Sequence, residues 1–165
     1  MLSESGGSSE PGGSSEPGGP SERYWADDVA LPALLGAARM PYGRAINAAL
    51  EAAGFDDLPR RGSFVIGSVE RGGLAMSTLA PARGMSKQAA SHLVDTLVSR
   101  GYLDRSPDAV DRRRMSVTLT HRGQAAAIEI RSAVAAVDAK LIAVVGEQAA
   151  GEARRVLGAL IALDR

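Results

Sequence analysis

A mainly α fold (α+β) is what this sequence predicts, on three observations. Alanine and leucine dominate a chain that is 45% apolar but only 4% aromatic, which favours helix over a β-sandwich. Apolar residues recur at helical spacing in several separate stretches. One stretch alone alternates apolar and polar residues, Met115, Ser116, Val117, Thr118 and Leu119. It follows "YLDR" across the turn-like residues 106–114, so the two runs are expected to pair as strands.

The elements follow in order. Residues 1–22 repeat "GGSSEP", carry Glu4, Glu10, Glu16 and Glu22, and hold no Lys or Arg. With almost nothing to bury, they cannot offset their ordering entropy and are expected to form a disordered tail. Residues 23–165 are expected to form one domain. Within it the apolar positions Val29, Leu34, Leu35, Ile46 and Leu50 mark a helix over about 26–53. Pro32 suits its first turn, and Pro41 is expected to kink or break it, lacking the N–H and clashing one turn back. "GFDDLPRRG" reads as a loop, and "RGSFVIGSVERGG" as a short helix with Phe64, Val65 and Val69 inward, closed by Gly72 and Gly73. Ser77 is expected to cap a helix ending near Arg83, with Pro81 in it and Gly84 as the turn. Ser86 caps the next helix, which runs to about Arg100 and is closed by Gly101, with Ala90, Leu93, Val94 and Leu97 as its buried stripe.

After the hairpin, Thr120 caps a long helix to about Val145, and a last helix covers about Glu147 to Leu163. The long one is apolar nearly all round, so it is buried on more than one side. A chain this short has trouble enclosing two such helices alone. A homodimer through the helices at about 26–53 and 121–164 is therefore expected.

Short helix, tight turn, second helix and hairpin, over about residues 58–120, give the order of a winged helix-turn-helix with N- and C-terminal dimerisation helices. The second helix of such a motif enters the major groove with its N-terminal residues near base edges. Gln88, Ser91, His92 and Asp95 share the face opposite the buried stripe, and Ser86 and Lys87 sit at the helix start, where free N–H groups attract phosphate. Gln can pair bidentately with adenine, and Ser can meet several bases. Asp95 lies far along the helix, and a carboxylate repels phosphate, so it is not counted among the contacts. Arg112, Arg113 and Arg114 stand at the hairpin tip, where DNA contact is expected of them, Arg113 first, with Arg112 and Arg114 on phosphate. The chain is neutral overall, yet residues 83–122 hold eight basic and four acidic residues, against eleven and fifteen elsewhere. Positive charge gathered on one module is the footprint of a nucleic-acid face.

"GMSKQAASHLVDTLVSRGYLDRSPDAVDRRRMSVTLTHRG" resembles the winged helix-turn-helix core of MarR-type transcriptional regulators. The wing motif of that family is an Asp, any residue and an Arg, followed by Leu-Thr and a Gly; here these are Asp111, Arg112, Arg113, Leu119, Thr120 and Gly123. The resemblance covers about residues 28–164 and is specific at 84–123. It implies an obligate dimer, a recognition helix at 86–100, and a wing whose Arg113 reaches the minor groove, oriented by Asp111. It also implies a small aromatic or anionic ligand in a cleft lined from around Tyr42, Ile46 and Phe64. Pro41 and Pro81 depart from the family pattern without touching the DNA-facing residues.

Other chemistries find little footing. The chain has no cysteine, so thiol catalysis, a thiol switch and zinc-thiolate sites are excluded. His92 and His121 are its only histidines, too few and too far apart for a metal site. No nucleophile elbow, phosphate loop or His-Glu-x-x-His pattern occurs, so neither an enzyme nor a cofactor is expected. No run approaches the ~20 apolar residues of a membrane span, and the N-terminus lacks the order of a signal peptide; a soluble cytoplasmic protein is expected. The expected function is that of a homodimeric repressor, released by a small-molecule ligand, on the double-stranded DNA of a pseudo-palindromic operator. The alternative is a winged-helix module that binds protein, or nucleic acid architecturally without sequence choice.

Overall fold

The computed structural model describes residues 25–72, 85–107 and 115–163. Four helices and one hairpin make up these parts. Helix α1 spans Leu31–Ala52, α2 Gly62–Glu70 and α3 Lys87–Ser99. Strands β1 (Leu103–Pro107) and β2 (Met115–Leu119) follow, and then α4 (His121–Ala162). The helix expected from Ser77 to near Arg83 lies outside the described residues.

Helix α1 starts later than its apolar pattern suggests, because residues 25–28 form a turn and Pro32 stands in the first helical turn. It then passes through Pro41 without interruption, so the break expected there does not occur. Two facts account for this. Ala37, whose carbonyl loses its donor, and Pro41 itself are both exposed, so water can serve that carbonyl. Immediately beyond, the Tyr42 hydroxyl donates to Asp138 of α4 at 2.5 Å and ties the second half of α1 to the long helix. Tertiary contact outweighs the local propensity.

Two helices stop in the same way, and their stops build the middle of the molecule. Past α1, Gly54 has φ 77°, its N–H bonds to the Glu51 carbonyl, and the Phe55 N–H reaches back to Leu50 at 2.8 Å. Past α3, Gly101 has φ 71°, its N–H bonds to Val98, and the Tyr102 N–H reaches Leu97 at 2.9 Å. Both are Schellman closures, in which glycine takes a left-handed conformation that costs other residues free energy. Each turns an aromatic residue inward, and the Phe55 and Tyr102 rings meet at 6.1 Å between centroids, tilted by 56°.

The core lies between α2, α3, the start of β1 and the first half of α4. Val65, Ile66, Ala90, Val94, Leu97, Tyr102, Ala126 and Ala127 are all fully or almost fully buried in it. The stripe read from α3 is thus inward, with Leu93 only partly covered. Ile66, which neighbours Val65 on the inner face of α2, was not anticipated. The strands pair antiparallel, with Leu103 opposite Leu119, Arg105 opposite Val117, and Pro107 opposite Met115.

Helix α4 has one break, at Gly146, where φ is 81° and ψ 161°. Arg154 lies 16 residues beyond Asp138 yet bonds to it at 3.0 Å. A straight helix would separate them by about 24 Å. The segment after Gly146 therefore folds back on the segment before it. The boundary falls where the sequence places it, between the helices expected at 121–145 and 147–163.

Candidate nucleic-acid interface

Helix α3 begins at a formed cap. Ser86 is extended (φ −67°, ψ 156°), and its hydroxyl accepts the Ala89 N–H at 3.1 Å. This satisfies one of the free donors of the first turn and leaves others pointing outward. Ser86, Lys87 and Gln88 are exposed there, and His92 is exposed one turn on. Ser91 is half-buried, at the edge of this face rather than its middle. The five helix residues expected to meet DNA are thus brought together, four in the open and Ser91 at the rim. The N-terminal turn offers hydrogen bonds and a partial positive charge to an anion, and Gln88 and His92 supply directional donors and acceptors beside it.

Asp95 is also exposed on this face, and its carboxylate is paired with Arg105 of β1 at 2.6 Å. The pair joins the outer face of α3 to the root of the hairpin and offsets the negative charge on that face. Sequence reading set Asp95 aside and considered Arg105 only for the flanking DNA backbone. Nothing local marks the pair, because it forms only once the hairpin lies against the helix.

The wing tip itself lies outside the described residues: Asp111, Arg112, Arg113 and Arg114 are all there. The strands nevertheless fix its root. Pro107 pairs with Met115, and the chain between those two paired positions carries the three arginines directly before β2.

Behind the interface, one carboxylate gathers three segments. Asp57, in the loop between α1 and α2, accepts the Tyr102 hydroxyl at 2.5 Å and the Arg122 guanidinium at 2.9 Å, both on the same oxygen. Arg122 also donates to the Arg100 carbonyl at the end of α3, at 2.6 Å, and its guanidinium lies 4.3 Å from the Tyr102 ring centroid. Burial, then the bond to Asp57, pushes the Tyr102 hydroxyl up to about 12. The Tyr102 bond, aided by Arg122, holds the Asp57 carboxyl below the usual carboxylate range.

Beside it, Thr120 accepts the Gly123 N–H at 3.0 Å and donates to the Gly101 carbonyl at 2.5 Å. A Cβ on Gly123 would overlap the Tyr102 carbonyl oxygen. This gives a physical reason for the Leu119-Thr120…Gly123 pattern: the threonine caps α4 and the glycine lets α4 approach the turn after α3. Asp57 escaped the sequence reading, since "GFDDLPRRG" looks like any acidic loop.

The three residues expected around a ligand cleft do not share one environment. Ile46 and Phe64 pack against the core, and Tyr42 is engaged with Asp138, whose carboxyl its hydroxyl holds below the ordinary range. A groove of about 290 Å³ lies between the end of α1 and the start of α2, lined in part by Asn47, Phe55, Leu58 and Ser63 and by none of the three. Among the described residues no cluster of three His, Asp or Glu could hold a metal ion, and no helix is long and apolar enough to cross a membrane.

Residues 56–114 match the MarR family. Among solved structures, a MarR family transcriptional regulator from Silicibacter pomeroyi is 27% identical, with 82% of this chain and 89% of that one aligned at a TM-score of 0.64. CouR from Rhodococcus jostii, bound to p-coumaroyl-CoA, is 23% identical over 84% of this chain and 95% of its own, with a TM-score of 0.66. The MepR–DNA complex of S. aureus is 17% identical over 84% and 99%, with a TM-score of 0.65. No curated protein matches the sequence significantly. The mostly helical architecture with a two-stranded wing is that of these structures.

Proposed function

We propose that the protein is a MarR-type, homodimeric, sequence-specific DNA-binding transcriptional regulator, a reading supported by the match of residues 56–114 to the MarR family. It is a cytoplasmic repressor that a small aromatic or anionic ligand releases from its operator. The family is one of regulators and not of enzymes. The observation that carries the reading is the Ser86-capped start of α3, which presents Lys87, Gln88 and His92 beside a hairpin that leads into Asp111–Arg114. In this reading α3 enters the major groove, with Gln88, Ser91 and His92 near base edges and Ser86 and Lys87 on phosphate. Arg113 reaches the minor groove, oriented by Asp111, while Arg112 and Arg114 hold the flanking backbone. A relative solved on DNA and another solved with p-coumaroyl-CoA support the two kinds of partner. A ligand acts here by binding the DNA-incompetent spacing of the two lobes better than the competent one; the candidate lining residues remain Tyr42, Ile46 and Phe64.

Gel-shift titration of the protein on its own upstream DNA tests this. Retention in the presence of competitor DNA at physiological salt supports sequence choice, and abolition by competitor favours the architectural module instead. Arg113→Ala is expected to weaken binding several-fold while the dimer persists, and unchanged affinity removes Arg113 from the interface.

A further inference from the structure

We propose that Asp57 is a positioning residue for DNA recognition: it fastens the loop between α1 and α2 to the turn after α3 and to the start of α4, and so sets the angle at which α3 is presented. The inference rests on the reading of α3 as the recognition helix. Asp57 is not among the residues assigned to DNA.

The contacts are few and convergent. One Asp57 oxygen receives both the Tyr102 hydroxyl and the Arg122 guanidinium. Tyr102 is fully buried and is the first residue past the glycine that closes α3, so its ring moves only if the end of α3 moves. Arg122 stands in the first turn of α4 and bonds to the carbonyl of Arg100, the residue that caps the end of α3. With Asp57 in place, the guanidinium is fixed at three points: the carboxylate, the Arg100 carbonyl and the Tyr102 ring. Without it, the guanidinium loses its charged partner and the buried hydroxyl loses its acceptor. The core itself is apolar and does not depend on the Asp57 carboxylate: Val65, Ile66, Val94, Leu97 and Ala126 form it, with Phe55 and Leu58 of the loop packed against it. Loss of Asp57 therefore frees the orientation of α3 relative to α4 more than it threatens the fold. The two recognition helices of a dimer must meet successive grooves in register, so a small angular freedom weakens the specific complex. Nonspecific binding depends on phosphate charge and is insensitive to that angle.

The test compares wild type, Asp57→Ala and Tyr102→Phe for binding to the operator and to a scrambled duplex of equal length, by fluorescence anisotropy across a salt series. Dimer mass and thermal unfolding are measured in parallel. Asp57→Ala is expected to lower operator affinity about tenfold, the scale of one lost base-pair recognition. Scrambled-duplex affinity, salt slope and dimer mass stay as in wild type. Tyr102→Phe is expected to lower operator affinity as well, by a smaller factor, and to leave the other three as in wild type. A merely structural defect lowers the competent fraction and hence both affinities by one common factor; that result, or unchanged discrimination, overturns the proposal. If Asp57→Ala does not fold, Asp57→Asn carries the test, since it keeps an acceptor for Tyr102 and removes the ion pair. A wild-type protein without operator preference overturns the functional reading and the clamp together, whereas wild-type preference retained in the variants overturns the clamp alone.

Discussion

At the scale of single residues, the same three-part device occurs twice. Tyr102, Asp57 and Arg122 hold the winged-helix lobe, while Tyr42, Asp138 and Arg154 hold α1 and the two segments of α4. In each, a tyrosine hydroxyl bonded to an aspartate is the largest cause that depresses the carboxyl's pKa. A depressed folded pKa contributes stability that is present above the ordinary value of 3.8 and is lost as pH falls through the depressed one. Urea midpoints are therefore expected to drop as pH falls below the ordinary carboxylate value of 3.8, more steeply in wild type than in an Asp57→Asn, Asp138→Asn double variant. On the alkaline side, Tyr102 is held neutral, so its contribution is present below pH 10 and is lost as pH rises through about 12. Gly123 is the least replaceable residue of the region. Gly123→Ala places a Cβ into the Tyr102 carbonyl, and since that obstacle is backbone, α4 must move away. A loss of at least about 2 kcal/mol in chemical denaturation is expected; a variant as stable as wild type would show that the approach of α4 to this turn can widen freely.

At the scale of elements, caps and glycines do most of the shaping, and they were also the most legible features. Ser86, Gly101 and Thr120 could be placed from sequence because each acts on its nearest neighbours: a hydroxyl reaches an N–H three residues on, and a glycine takes positive φ at the first residue past a helix. Pro41 misled for the complementary reason. Its local cost is real, but solvent on one side and the Tyr42–Asp138 bond on the other are not written in the five residues around it. The site divides likewise. The exposed row of α3 follows from helical spacing, while the Asp95–Arg105 and Asp57–Tyr102 pairs join positions 10 and 45 apart and exist only after folding. Ser86→Ala is expected to cost about 1 kcal/mol and fray the first turn of α3. Because that turn carries Lys87 and Gln88, DNA affinity should fall by more than the shift in the unfolding midpoint explains. Equal losses in both measurements would assign Ser86 to stability alone.

At the scale of the whole molecule, the distribution of apolar surface points to a second copy of the chain. Among the described residues, the exposed large apolar side chains fall outside α2, α3 and the hairpin: Trp25 before α1, Leu31 and Met40 on α1, Ile128, Leu141, Val144, Val145, Val156, Leu157, Leu160 and Ile161 on α4, and Leu163 just past it. Val144 is 83% exposed and Ile161 64%, values that a water-facing helix surface rarely gathers in one region. Gly146 folds α4 back on itself, and the Asp138–Arg154 bond sets the stretch that carries Val156–Ile161 beside the segment before the break. Charge is arranged in the opposite sense, with the basic excess at residues 83–122. An isologous contact through the apolar patch places the two α3 helices on a common two-fold axis, as a pseudo-palindromic operator needs. Ile161→Asp buries an unpaired charge in such a contact without touching α3 or the hairpin. Sedimentation should then report monomer at concentrations where wild type is dimeric. Operator affinity should fall by about 100-fold or more, because the second half-site is no longer reached from the first. The Gly146→Ala variant separates patch geometry from patch chemistry: its backbone is strained by about 1–3 kcal/mol at a φ of 81°, and it should weaken the dimer although every apolar side chain is kept. A variant that remains as firmly dimeric as wild type would place the dimer contact on α1 and the first segment of α4, independent of the return at Gly146.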